Sequence, residues 1–260
     1  MAKRYGRIWG TVAALGAAAG LVVAVPGSVD EAPWRVDRLQ DAHEGSPAQV
    51  LKEAAERALA AGAADVEVTG SHFLYGRVRP ESGRMSWKSP HEAVGLPTLS
   101  RWRVDNDVYR DPATDPAYDG NPEVEDQYGV AAHVSGPEVL STLLVAGNAK
   151  RLGPEPVRGR PAMGYRWVVA DDDIDALLSK TFPCQAPATP AQDAWNDPFH
   201  VTAWLDEGGQ VVRVQVVRPG TSYDTVVDFH SFGGPAVTLP PGAEPMPGTG
   251  SPRRKGCSVR

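Results

Sequence analysis

Between Pro198 and Pro241 apolar residues recur at every second position in three successive runs, and this stretch sets the expectations for the rest of the chain. In the first run Val201, Ala203 and Leu205 alternate with His200, Thr202 and Asp206, the period-two pattern of a strand with two unlike faces. Trp204 alone blurs it. Gly208 and Gly209 then supply the positive φ that a tight hairpin turn needs. The chain returns with Val212, Val214 and Val216 opposed to Arg213 and Gln215. After Pro219 and Gly220, Tyr223, Thr225, Val227 and Phe229 point one way and Ser222, Asp224 and Asp228 the other. An antiparallel meander with one apolar face results, and helices, a second sheet or a ligand must cover that face.

Covering elements are legible upstream. Ser46 or Pro47 starts a helix in which Val50, Leu51, Ala54, Ala55, Ala58 and Leu59 form an apolar stripe, and Gly62 stops it. A second helix is expected from Gly136-Pro137 to about Lys150, with Leu140, Leu143 and Leu144 on its apolar side. Strand character marks Val66 to Arg79, Arg84 to Lys88 and Ser100 to Arg110, and a further strand follows the turn at Gly159 and ends at Ala170. Asp171, Asp172 and Asp173 then suit the N-terminus of a helix over Ile174 to Lys180, whose free N–H groups they can accept.

The N-terminus changes the picture. Lys3, Arg4 and Arg7 precede an uncharged run from Ile8 to Val25, which is an export signal. Residues 8–25 are at the short end of what spans a bilayer and longer than the usual signal-peptide core, so an uncleaved anchor in the cytoplasmic membrane and a cleaved signal both stand. In either case the positive flank places the remainder outside the cytoplasm. The expected organisation is a signal peptide or membrane anchor over 1–27, a linker over 28–47, one domain over 48–242 and a flexible basic tail over 243–260.

Composition narrows the function classes. A net charge of -6 over 260 residues argues against a nucleic-acid binder, whose phosphate contacts need a basic surface. None of the six histidines has metal-ligand spacing, and no catalytic or cofactor-binding pattern is present, so neither a metal nor a cofactor is expected. The acidic stretch Asp111 to Asp126 lacks calcium-loop spacing and reads as a solvated loop. His200 and His230 fall on neighbouring runs, but two surface histidines are the simpler reading. Cys184 and Cys257 lack the setting of a reactive thiolate and, in an exported chain, are expected to form a disulfide that staples the tail to the domain.

Three places together resemble the LppX/LprAFG lipoprotein family, part of the LolA-like group of cell-envelope lipid-binding proteins. They are Val157-Arg158-Gly159 with Tyr165 leading a strand into an Asp-led helix that ends in Leu177-Leu178; Val201 to Leu205 with Asp206, Gly208-Gly209 and the return strand Val211 to Val217; and Asp228-Phe229, Phe232-Gly233, Pro235-Ala236-Val237 and Pro240-Pro241. The resemblance covers roughly Ala48 to Pro241. It implies an α+β fold, a curved antiparallel half-barrel sheet covered by helices, with an apolar cavity between them for a lipid or another hydrophobic molecule. Family lipoproteins carry a lipid-attachment cysteine directly after the export segment, whereas no cysteine here precedes Cys184. The expected function is therefore non-enzymatic, extracytoplasmic binding of a hydrophobic ligand by a protein held by its own anchor or secreted. Expected lining residues are Val212, Val214, Val216, Tyr223, Val227 and Phe229, with Trp204 at a rim. The alternative is a membrane-anchored interaction or sensor module with an envelope protein partner and no ligand cavity.

Overall fold

The computed structural model describes residues 39–41, 43–72, 76–77, 81–87, 92–96, 101–104, 107–112, 136–170, 173, 198–217, 219 and 224–245. Its strands are β1 (Ala63–His72), β2 (Gly76–Arg77), β3 (Glu81–Ser86), β4 (Ala93–Leu96), β5 (Arg101–Val104), β6 (Asp107–Arg110), β7 (Lys150–Val157), β8 (Arg160–Val169), β9 (Phe199–Leu205), β10 (Val211–Val217), β11 (Asp224–Phe232) and β12 (Glu244–Pro245). They form one sheet in the order β12-β6-β5-β4-β3-β1-β11-β10-β9-β8-β7, with β2 added beside the end of β1. Each pairing is antiparallel. The N-terminal strands join the expected meander where β1 pairs with β11, Val68 opposite Val227. The sheet is open, ending at β7 and β12.

Helix α1 (Pro47–Ala61) has the boundaries its chemistry dictates. The Ser46 hydroxyl accepts the Gln49 N–H at 3.3 Å, a proline occupies the first turn, and Gly62 at φ 72° donates its N–H to the Leu59 carbonyl. Its buried face is Val50, Leu51, Ala54, Ala55 and Ala58. Helix α2 (Gly136–Ser141) continues into a 3-10 turn over Thr142–Val145. The Gly136 N–H donates to the buried Glu92 carboxylate at 3.0 Å, which satisfies one of the free donors at that end. Two tryptophans tie helices to sheet: Trp87 Nε1 donates to the Leu59 carbonyl at 3.0 Å and Trp167 Nε1 to the Thr142 carbonyl at 3.0 Å.

One core cluster holds both helices and residues from β4, β3, β1, β11, β10, β9 and β8, from Val94 at one side to Tyr165 and Trp167 at the other. Laid flat, six inter-strand spacings of about 4.8 Å would put these strands roughly 29 Å apart, against a helix diameter of about 10–12 Å. Gathering them on one helical layer requires a curled sheet. Bulges at Asp65/Val66 and Val211/Arg213 supply local bending.

On the opposite face the chain after β11 runs back across β3, β4 and β5 and ends in β12 beside β6. Arg84 holds its start, donating to the Pro235 carbonyl at 2.8 Å, to the Gly233 carbonyl and to Asp65. The Ser231 hydroxyl and then Arg84 hold the Asp65 carboxyl below its ordinary 3.8. Further along, the Ser86 hydroxyl accepts the Val237 N–H at 3.0 Å, and Val237, Leu239 and Ala243 pack on Ala93, Trp102, Val104 and Tyr109.

Several expectations need correction. The second helix does not reach Lys150: Gly147 and Asn148 form a turn, and Lys150 to Val157 gains pairing with β8 instead. Pro154 and Pro156 hid this strand, yet β7 is an edge strand, where a missing N–H is tolerated. Strand β4 passed unread because four residues containing a glycine carry little pattern. The stretch 28–47 was expected as a linker, but Leu39 and His43 are buried in the domain. Strand β12 likewise falls within the expected tail. His200 and His230, expected as two surface histidines, are both exposed and do not meet: His200 pairs with Val217 at one end of the meander and His230 lies six residues past Asp224, roughly 20 Å away along the strand. Among the described residues no helix is long and apolar enough to cross a membrane; residues 8–25, the helix over Ile174 to Lys180, Cys184, Cys257 and most of the acidic loop lie outside them.

Candidate functional site

The candidate site is the helix-covered face of the sheet, and alternation within the strands decides which residues reach it. Val201, Ala203 and Leu205 on β9, Val214 and Val216 on β10, and Val227 and Phe229 on β11 all enter the main core. Register explains the grouping, since Val214 stands opposite both Ala203 and Val227. The Phe229 and Phe232 rings stack at 5.2 Å, because the bulge beside His230 returns Phe232 to the same face. Leu59, Leu144, Val145, Phe199 and Phe232 are only partly buried where they pack on this core. These side chains give the core an apolar rim.

The expected lining residues are therefore split. Val214, Val216, Val227 and Phe229 are brought together, whereas Val212 and Trp204 lie on the opposite face with Val157 and Ala162. The bulge between Val211 and Arg213 is the cause: Val211 takes the inward position opposite Leu205, and Val212 turns outward. Tyr223 lies outside the described residues. Trp204 donates through Nε1 to Glu155, and the Arg213 guanidinium lies 5.9 Å from its ring centroid.

A polar constellation at the β7–β8 side of the same covered face escaped the sequence reading. His43 is fully buried and its Nε2 donates to the Asp206 carbonyl at 2.9 Å; Arg151 donates to the His43 carbonyl. The His43 and Tyr165 rings are tilted at 46° with centroids 5.9 Å apart, and the Arg151 guanidinium lies 5.9 Å from the Tyr165 centroid. Both His43 Nδ1 and the Tyr165 hydroxyl are buried with no hydrogen-bond partner. Burial holds His43 below its ordinary 6.5, with the positive charges of Arg151 and Arg57 acting the same way and the bond to Asp206 opposing them. Burial likewise raises the Tyr165 hydroxyl above 10.0, partly offset by Arg151. The four-residue spacing of Leu39 and His43, that of one helical face, is the hint the sequence offers.

Among the described residues no group of three or more His, Cys, Asp or Glu is placed to hold a metal ion. No family model matches the chain, and no curated protein matches its sequence. Solved structures similar to it include LprF from Mycobacterium bovis, at 13% identity over 77% of this chain and 100% of that one, with a TM-score of 0.49. LppX from Mycobacterium tuberculosis is similar at 14% identity over 75% of this chain and 100% of that one, with a TM-score of 0.35. A LolA-superfamily protein from Nitrosomonas europaea is similar at 10% identity over 75% and 96% of the two chains, with a TM-score of 0.27. They are of the group that the sequence resembles. At these scores the likeness is one of outline and carries no functional argument.

Proposed function

We propose that this protein is a non-enzymatic, extracytoplasmic cell-envelope protein that binds a lipid or another hydrophobic molecule between the sheet and helices α1 and α2. The observation that carries the reading is a curled apolar face seven strands wide whose cover, among the described residues, is helical. That cover is the 15-residue α1, three of whose five buried residues are alanines, with the short α2 and its 3-10 continuation. Partly buried apolar side chains on this core, Phe199 at one end of the meander and Phe232 at the other, support an opening at one of these ends through which such a ligand would enter. Of the expected lining residues, Val214, Val216, Val227 and Phe229 face this space; Trp204 and Val212 do not, and no role in ligand contact is proposed for them. Residues 8–25 either hold the protein at the cytoplasmic membrane or are removed on export.

Native mass spectrometry of the protein recovered from an exporting cell tests the proposal. An adduct of lipid mass that leaves on denaturation is the expected result. A bare protein mass, under conditions that keep lipid on a known carrier, would reject it and favour an interaction module.

A further inference from the structure

We propose that His43 Nδ1 and the Tyr165 hydroxyl form the polar end of the ligand site and bind a hydroxyl group carried by the hydrophobic ligand. The inference rests on the ligand-binding reading above and names the chemistry the ligand must bring. Two buried polar atoms without partners are costly, and native structures pair such atoms. These two lie on neighbouring rings, and Tyr165 belongs to β8, the last strand that the apolar core reaches on that side.

Their hydrogen-bonding capacities are complementary. A carbonyl only accepts, so His43 Nε2, bonded to the Asp206 carbonyl, carries the proton. A neutral imidazole with a proton on Nε2 presents a lone pair at Nδ1. Tyr165 offers an O–H donor. A ligand hydroxyl accepts from Tyr165 and donates to His43, satisfying both at once. Other headgroups fit less well: a carboxylate or phosphate would set its lone pairs against Nδ1, and an ammonium would face the guanidinium of Arg151, already engaged with the His43 carbonyl and the Tyr165 ring. Arg57 adds positive charge nearby, with its Nη2 donating to the Gly209 carbonyl at 2.7 Å. A buried water offers the same O–H chemistry, and the test must separate the two sources.

The probes are 1-palmitoylglycerol and methyl palmitate, titrated into the full chain and followed by native mass spectrometry. The unsubstituted protein is expected to prefer the palmitoylglycerol by about ten-fold, the value of one good hydrogen bond. In Tyr165→Phe, which removes the donor, and in His43→Leu, which removes the acceptor, the preference should fall to within about two-fold. If both probes bind the unsubstituted protein equally, the polar end is wrong and the ligand-binding reading survives. If neither binds, both fall. A permanent water would show itself differently: Tyr165→Phe would lower the thermal midpoint of ligand-free protein and leave the preference intact, which overturns the proposal.

Discussion

Arg213 and Asp228 form a two-pronged ion pair between β10 and β11, with Nε to Oδ1 at 2.7 Å and Nη2 to Oδ2 at 2.8 Å. Asp228 is almost fully buried on the face away from the helices, so its charge is tolerated there only because this fork matches both carboxylate oxygens. Replacing Asp228→Ala should destabilise the protein by about 1.5–3 kcal/mol, the range for hydrogen bonds to charged groups. Arg213→Met added to it should restore part of that loss, because the stranded guanidinium is removed. Chemical denaturation of the two single variants and the double variant measures the coupling. Additive effects would mean that the pair contributes nothing as a pair.

Helix α1 should be sensitive to its least exposed large side chain. Leu51 is completely buried against the concave face, and Leu51→Ala should cost about 2–5 kcal/mol. A denaturation midpoint near that of the unsubstituted protein would show that α1 is not part of the cooperative core. At the C-cap, Gly62→Ala should cost at least about 1–2 kcal/mol, since a φ of 72° strains any residue that carries a Cβ.

These elements differ in how far they were legible. Helix α1 announced itself at both ends and along its stripe, because Ser46, Pro47 and Gly62 act locally and its apolar period is long. The meander was readable for the same reason. Asp206 refines its turn: the carboxylate accepts the N–H groups of Gly208 and Gln210 at 2.9 Å each, so the loop is wider than the two glycines suggested. What escaped depends on partners distant in sequence. The bulge that turns Val212 outward is a property of the pairing of β10 with β9 and leaves no mark in an alternating run of valines. His43 looked like a linker residue because its partners, Asp206 and Tyr165, are more than a hundred positions away.

Acid should weaken the fold through His43. Its folded-state affinity for protons is lowered by burial first, with Arg151 and Arg57 adding to the effect, so below the ordinary value of 6.5 the unfolded chain binds a proton that the folded chain resists. Stability attached to the neutral ring is complete above that value and declines as pH falls from it through the lower folded-state value. The facing groups do not reverse the sign: Arg151 and Arg57 oppose protonation, and the carbonyl bond and the charge of Asp206, which favour it, are outweighed by burial. Urea midpoints taken between about pH 7.5 and pH 5 should fall for the unsubstituted protein and fall less for His43→Gln. Parallel curves would place the acid sensitivity elsewhere.

The C-terminal segment on the outer face should be released by one methyl group. A Cβ at Gly95 would stand 3.1 Å from Trp102 Cδ1 and 3.2 Å from Val237 Cγ1, closer than such atoms ordinarily sit. Trp102 is held by β5 and Tyr109, so the more movable partner is the segment carrying Val237, which is held through Ser86 and, nearer its start, Arg84. Gly95→Ala should therefore loosen that segment at a cost of about 1–3 kcal/mol, as overpacking does. The expected readout is faster proteolysis after Phe232 while protection of β9 and β10 in hydrogen exchange is kept, because those strands lie beyond β1 and β11 from the altered position. Loss of protection throughout the sheet would instead make the segment part of the cooperative fold and not a strap laid upon it.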